Sequence, residues 1–495
     1  MSKNISNETL NAAVIPSGVD RSKLKSRIVH LGFGAFHRAH QGLYTSEMLA
    51  ETDSDWGICE INLFGGESLI QQLRAQNHLY SVLEKDTHNP VVKVSAAVTE
   101  SLHPALDGKQ AVLKKMADPQ TEIVSLTITE KGYCADLSTG HLDKNNNLIK
   151  ADLATPSEPQ SAIGYIVEAL RLRKENGNKP FTLMSCDNIQ GNSQVARQVI
   201  LDYAAELDIT LGNWIEQNVT FPCTMVDRIV PAMTEQSSSI LAEHLGIADP
   251  CGIVCEPFRQ WVIEDQFVSG RPEWNLIAGV SFVDDVIPFE NMKLRMLNGS
   301  HSFLAYLGYL GGYKYIYQTM ADQHYRTAIR QLMLNEQATT LSMPEGTDLE
   351  GYADRLIERF ANTAIAHETY QIATDGSQKL PQRLCESLRY HFEKGTPVTW
   401  LTLGLAGWMV YVGERDEQGN TIEVQDPLLN DIRSKLSTAE TAEQIVNSLL
   451  SIEQIFGTDI KQNQNFVKEL IQAVTNVKQL GARGAIADAL TTQTN

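Results

Sequence analysis

Cysteine, positive charge and long apolar runs are all scarce in this sequence, and each shortage excludes something. Seven cysteines, Cys59, Cys134, Cys186, Cys223, Cys251, Cys255 and Cys385, are scattered and odd in number. That is no framework for a disulfide-stapled secreted scaffold and suits reduced thiols. Only Cys251 and Cys255 lie close together, and no second Cys/His pair stands at ligand spacing, so the two are read as buried small residues and no metal site is expected. Lys and Arg number 41 against 60 Asp and Glu, a formal net charge of -19. A field of that sign repels polyanions, so neither a nucleic acid nor an anionic membrane surface is an expected partner. The most apolar stretch, Trp400 to Val412, is interrupted by Gly404 and Gly407 and is too short to span a bilayer. The opening MSKNISNETLNAAVIP has no apolar core behind a basic cluster, so no secretory signal is expected and the cytoplasm is the expected compartment. No long Pro, Gly or Ser tract suggests disorder.

What is present is the composition of a globular protein, 42% hydrophobic and 20% charged over 495 residues, long enough for two domains with cores of their own. In the N-terminal half, short β-rich runs alternate with helical patterns. Strands are expected at Arg27 to Leu31, Gly57 to Leu63, Val91 to Val98, Ile123 to Thr129 and Phe181 to Ser185, with another starting at Val219 and a last one at Val280 to Val283. Helical spacing of Ile163, Ile166, Ala169 and Leu170 fills one of the intervals. Such alternation predicts a parallel sheet covered by helices, with ligands beyond the carboxyl ends of its strands. From about Pro288 onward long helical patterns dominate. The expected fold is α/β, a Rossmann-type N-terminal domain over residues 1–285 followed by a mostly α-helical domain over 286–495 that carries the substrate and catalytic groups.

Directly after the first expected strand come Gly32, Phe33, Gly34, Ala35, Phe36, His37 and Arg38. Two glycines at this spacing permit a tight strand-to-helix turn and let backbone N–H groups approach a pyrophosphate at a helix N-terminus. His37 replaces the third glycine of the dinucleotide fingerprint, and a glycine pair after a strand is also an ordinary turn. Position in the first strand-to-helix turn, with Arg38 available to pair a phosphate, favours the cofactor reading. An acidic residue at the end of the second strand, Glu60 or Glu67, would take the adenosine ribose hydroxyls and so favours NAD over NADP.

The segment from Pro288 to Ala305 is the most informative. As one α-helix it sets Glu290, His301 and Asn298 at roughly 60°, 80° and 140° from Lys293, on one face. The surrounding Met292, Leu294, Met296, Leu297, Phe303 and Leu304 are apolar, so that face is no ordinary solvent face. Burial disfavours the ammonium form and would tune Lys293 for acid/base work. A structural network, with Lys293 paired to Glu290 and His301 bonded to a carbonyl, fits the same residues, and both readings stand open at this point. Further polar clusters follow the expected strands: Thr129 to Tyr133, which includes Glu130 as a cofactor contact; Cys186, Asp187 and Asn188; and Val226, Asp227 and Arg228. Asp375 to Pro381 reads as a tight turn that carries Lys379 on an element able to fold back over the site. A Tyr-x-x-x-Lys pair, Tyr390 and Lys394, lies too far from the glycine loop to signal a short-chain dehydrogenase.

Together, Ile28 to Gln41, Thr129 to Tyr133, Ser185 to Asn188 and the pattern Lys293-x-x-x-x-Asn298-x-x-His301 resemble the mannitol dehydrogenase family of long-chain polyol and uronate dehydrogenases, over nearly the whole chain. Trp56 to Leu63, Ser161 to Arg173 and Cys255 to Asp265 resemble its fructuronate reductase branch most closely. The resemblance implies a metal-independent, NAD-dependent hydride transfer that reversibly reduces D-fructuronate to D-mannonate, in a cleft between a Rossmann-type and a helical domain. It implies Lys293 as general acid/base, Asn188 and Asn298 as holders of the reacting oxygen, and His301 and Lys379 as substrate-positioning groups. Glu290 is implied as a proton relay and Asp227 as a residue lining the site. Polyol-specific relatives have an arginine where Gln371 stands here, which turns the expectation from a polyol to a sugar acid. Arg259, Arg383 and Lys379 are the candidates for its carboxylate. The alternatives are a mannitol or arabitol 2-dehydrogenase and a non-catalytic dinucleotide-sensing protein. The expected partner is a small sugar acid or polyol, bound by a monomer or small homo-oligomer.

Overall fold

Residues Lys25–Leu31 form the first strand, β1, whose stretch Ile28 to Leu31 is fully buried. It pairs in parallel with β2 (Trp56–Ile61) on one side and with β6 (Ile123–Leu126) on the other. Beyond them β5 (Val98–Leu102) and β7 (Thr182–Ser185) complete an all-parallel sheet of order β5-β2-β1-β6-β7. Both faces are covered, which is why these strands read as near-continuous apolar runs. The computed structural model describes residues 5, 9–86, 89–136 and 139–493, so residues 1–4 and 6–8 of the segment read for a secretory signal lie outside them.

Two smaller sheets complete the strand inventory. In one, β3 (Tyr80–Glu84) runs antiparallel to β4 (Val91–Ser95) and parallel to β9 (Ile253–Cys255). In the other, β10 (Gln260–Glu264) lies between antiparallel β8 (Thr224–Asp227) and parallel β11 (Val280–Val283). The single strand expected at Val91 to Val98 is therefore two strands in different sheets, divided at Ala96 and Ala97. The strand expected from Val219 begins only at Thr224, so Asp227 closes a strand instead of following one. Nothing in the sequence flagged β3, because the turn before it is made by Asn77 and His78 at φ 53° and 61°, without glycine or proline.

The chain divides into two compact units, Met1–Ile287 and Pro288–Asn495. In the second, every regular element among the described residues is helical. The apolar run at Trp400 lies in the helix Thr399–Tyr411, buried on nearly all sides. A helix hydrophobic all round is a core element, and it packs on Ser300–Leu310 and Gln464–Gln493. No helix among the described residues is long and apolar enough to cross a membrane.

Candidate active site

In the N-terminal unit the order of the sheet reverses at β1, whose successor β2 lies to one side and β6 to the other. That topological switch point is where open α/β sheets bind ligands. Gly32 leaves β1 at φ 112°, and a Cβ there would stand 2.2 Å from the carbonyl oxygen of Thr127. Only glycine fits. Asn62 holds the loop by accepting from the Phe33 N–H at 2.7 Å. Gly34 precedes the helix Ala35–Ala39 without a side-chain cap, so the first-turn amides of Ala35 and Phe36 are left for a ligand. Close backbone approach, uncapped amides and a switch-point position fit a dinucleotide pyrophosphate.

Three of the expected cofactor residues face the other way. His37 is fully buried and meets the equally buried Glu60 at 2.7 Å. Burial holds the His37 imidazole down and the Glu60 carboxyl up. Glu60 sits within β2 and cannot reach a ribose. The acidic residue past the strand is Glu67, half-exposed at the start of the helix Glu67–Ala75. Arg38 is also turned inward, donating to the carbonyl of Cys251 at 2.5 Å and to that of Gly34 at 3.2 Å, so it pairs backbone instead of phosphate. These residues support the loop from beneath. His30 joins them, bonding Ser125 Oγ at 2.8 Å and Thr127 Oγ1 at 2.9 Å. Donor atoms of His30, His37 and Glu60 lie within 4.8 Å of one another, as in a metal site. The two rings, however, stack at 3.4 Å with planes 16° apart, and stacked rings cannot both aim an in-plane lone pair at one ion.

At the carboxyl ends of β6 and β7 the loops are tied together by Asp187, which accepts from the Ile128 N–H at 3.0 Å, the Thr129 N–H at 2.9 Å and the Tyr133 hydroxyl at 2.7 Å. Burial raises its carboxyl despite these donors. Asp187, Tyr133 and Thr127 were not singled out from sequence as supports; a buried carboxylate just past a strand was the available signal. The arrangement leaves Glu130 and Asn188 exposed at the sheet's edge. Asp227 is buried at the end of β8. Arg259 is not available to a substrate: it pairs with both Glu47 and Glu84. Glu84 also accepts from Arg228 at 2.5 Å and Lys93 at 2.9 Å. Burial opposes its ionisation, but Arg228, Arg259 and Lys93 hold its carboxyl at about 2. Cys251 and Cys255 are buried thiols, both pushed up to about 12 by burial.

The C-terminal unit holds the lysine segment, and it is not one regular α-helix. An α-helical start, Ile287–Met292, passes into a π-helical stretch, Lys293–Gly299, and continues as the α-helix Ser300–Leu310. A π turn closes i→i+5 hydrogen bonds, so residues five apart come to overlie one another. Asn298, about 140° round from Lys293 on a regular helix, stands at a smaller angle from it on the wider π turn. Lys293 and His301 are each only 8% exposed, so neither is a solvent side chain. His301 lies against Phe360, ring centroids 4.6 Å apart with planes tilted by 45°, and meets His367 edge-on at 5.3 Å; its buried Nε2 has no hydrogen-bond partner among the described residues. Burial first, then the charges of His367, Arg359, Arg383 and Lys293, keep its imidazole well below the usual range. Glu290 is half-buried one turn before Lys293.

Lys379 lies on the short helix Gly376–Leu380 that follows Asp375, itself at φ 55°. Its ammonium caps its own turn, donating to Thr374 O at 2.5 Å and Ile372 O at 3.3 Å. Burial and Arg383 push its pKa down. Arg383 belongs to a second π-helical stretch, Pro381–Cys385, packed on the first. It donates from Nη1 to Ser302 Oγ at 3.1 Å and to Asn298 O at 3.3 Å. Within this unit, then, Arg383 lies against the lysine segment at Asn298 and Ser302, and the charges of Arg383 and Lys293 both reach His301.

A parallel sheet with a glycine turn at its switch point is the dinucleotide-binding unit of an oxidoreductase, here followed by a helical unit with a buried lysine. Residues 26–276 match the mannitol dehydrogenase Rossmann domain and residues 285–478 the mannitol dehydrogenase C-terminal domain. The chain belongs to the mannitol dehydrogenase family. It is 56% identical to the D-mannonate oxidoreductase of Escherichia coli (strain K12) over 479 residues, 96% of this chain and 98% of that protein. Identity to the mannitol 2-dehydrogenase of Phaeosphaeria nodorum is 37%, over 98% of this chain and 84% of the relative. Among solved structures, the Pseudomonas fluorescens mannitol 2-dehydrogenase in ternary complex with NAD and D-mannitol superposes with a TM-score of 0.82 at 36% identity, over 99% of this chain and all of that one. A substrate-free D-sorbitol dehydrogenase gives 0.92 at 36% identity, over 98% of this chain and all of that one. The protein is an oxidoreductase acting on CH–OH groups, a dehydrogenase of polyols or sugar acids.

Proposed function

We propose that the protein interconverts D-fructuronate and D-mannonate with NAD as hydride carrier and Lys293 as general acid/base. The observation that carries the chemistry is a lysine buried at a π turn of an otherwise apolar helical segment that also bears Asn298 and His301. The likeness to a D-mannonate oxidoreductase over 96% of the chain supports the sugar acid. The solved mannitol 2-dehydrogenase relative holds NAD, and the glycine turn and Glu67 suit the same nucleotide.

NADH, when bound, supplies the hydride to the ketone carbon. Lys293 as the ammonium gives its proton to the ketone oxygen as negative charge develops there, and the neutral amine takes that proton back in the oxidising direction. The Asn298 carboxamide donates a hydrogen bond to the same oxygen, a preorganised contact commonly worth about 3 kcal/mol in the transition state. In the N-terminal unit, the turn from Gly32 to Phe36 takes the pyrophosphate on backbone N–H groups, and Asn188 stands at the sheet's edge where a bound ligand meets it. Glu290 passes protons between Lys293 and solvent.

NADH oxidation measured over ketoses and ketouronates, with a chelator present, tests this. D-Fructuronate is expected to exceed D-fructose in kcat/KM, activity is expected to persist under chelation, and Lys293→Ala is expected to collapse the rate while NADH still binds. Near-normal turnover by Lys293→Ala would overturn the mechanism, and a preference for D-fructose would make the protein a polyol 2-dehydrogenase.

A further inference from the structure

We infer that Arg383 is the receptor for the substrate's carboxylate, a role that rests on the sugar-acid reading above. The other candidate cations are already engaged. Arg259 is neutralised by Glu47 and Glu84, and the Lys379 ammonium is spent on the carbonyls of Ile372 and Thr374. Arg295, on the lysine segment itself, donates to Thr340 O at 2.7 Å and Thr340 Oγ1 at 2.8 Å and faces Glu386 at 3.5 Å.

Arg383 differs from all three. Its protein acceptors are neutral, Asn298 O and Ser302 Oγ, and both are taken by Nη1. The Nε–Nη2 edge donates to no described residue, yet neither nitrogen is among the sealed, unpartnered atoms. That edge is a parallel pair of donors matched to the two oxygens of a carboxylate. Burial pushes the guanidinium down to about 10, still high enough to stay charged at neutral pH. A largely buried cation without a counter-charge is costly to keep, and an anionic ligand removes that cost.

The position is also built rather than incidental. Three π-helical stretches converge here: Lys293–Gly299, Leu332–Gln337 and Pro381–Cys385. Gln337 Nε2 donates to the Arg383 carbonyl at 3.1 Å, and a Cβ on Gly299 would stand 2.8 Å from that same nitrogen and 3.0 Å from the carbonyl. Side-chain replacement leaves this backbone clamp in place. Single π turns recur at functional sites because they redirect side chains without ending the helix.

Steady-state kinetics on D-fructuronate and on D-fructose, a ketose with no carboxylate, reads the role directly. For Arg383→Gln, kcat/KM on D-fructuronate is expected to fall roughly 10- to 100-fold, as for loss of a charge-assisted hydrogen-bonded pair, mainly through KM. D-Fructose is expected to change by no more than about threefold, within half of one decade of affinity. Arg383→Lys keeps charge and packing but not the fork, so it is expected to lie between, and it carries the test if the glutamine variant does not fold. NADH binding followed by fluorescence checks that each variant is folded. Equal losses on both substrates, no loss on either, or a selective loss in Arg359→Gln instead would overturn the inference. A wild-type enzyme inactive on D-fructuronate would overturn the sugar-acid reading and this inference with it, a result distinguishable because no variant is involved.

Discussion

At the scale of single residues, burial without an opposite charge is the recurring device. His301 and Arg383 both carry it in the helical unit, and so does Glu336 on the stretch Leu332–Gln337. The Glu336 carboxylate accepts from the Trp400 N–H at 2.9 Å and the Leu401 N–H at 2.8 Å, capping the buried helix Thr399–Tyr411. Burial outweighs those two donors and raises its carboxyl from 4.5 to about 7. The folded state therefore binds a proton that the unfolded chain has lost between these values. This group favours folding fully below 4.5, and that contribution is lost as pH rises through about 7. Glu336→Gln, a neutral stand-in for the protonated acid, is expected to flatten the fall in melting temperature between about pH 5 and about pH 8. Thermal melts of both proteins across that range check it, and parallel slopes would remove Glu336 as the titrating group.

Among the elements, the helix that breaks its own period matters most. Polar groups at Glu290, Lys293, Asn298 and His301 are legible in sequence as a polar set on one face of an apolar helix, with Asn298 at its margin, about 140° from Lys293. The π stretch Lys293–Gly299 narrows that angle, and no residue type in the segment announces a π turn. Gly299 is the one local trace: its lack of a side chain lets Gln337 and the Arg383 backbone close in. Gly299→Ala is expected to cost about 1–3 kcal/mol, the range for overpacking, and to lower kcat/KM as the lysine segment shifts. Denaturant midpoints and steady-state rates measure the two effects. Full activity with lowered stability would show that the π turn is structural only.

For the whole molecule, the division at Ile287 and Pro288 gives two units, and the proposed nucleotide contacts all belong to the first. A ligand that binds one folded unit stabilises that unit by mass action, about 2.7 kcal/mol at a hundredfold excess over Kd. Calorimetry with NADH is therefore expected to raise the transition that includes residues 1–287 more than the other, with site-resolved hydrogen exchange assigning which amides gain protection. Protection confined to the helical unit would move the nucleotide site. The charge of -19 belongs to this scale as well: it repels an anionic sugar at long range, so a local cation is needed to hold one, the role proposed for Arg383.

The sequence by itself determined the alternating α/β half, the helical half, the glycine turn and the lysine segment, because all of these are written in local periodicity and in residues with special backbone freedom. Which charged side chains serve as support and which stand open was decided only by tertiary structure. Arg38, His37 and Glu60 look like cofactor ligands in a linear reading and are buried beneath the loop; Arg259 looks like a carboxylate receptor and is spent on Glu47 and Glu84. A charge's partner lies tens or hundreds of residues away along the chain, and whether it is satisfied depends on packing that no local pattern records.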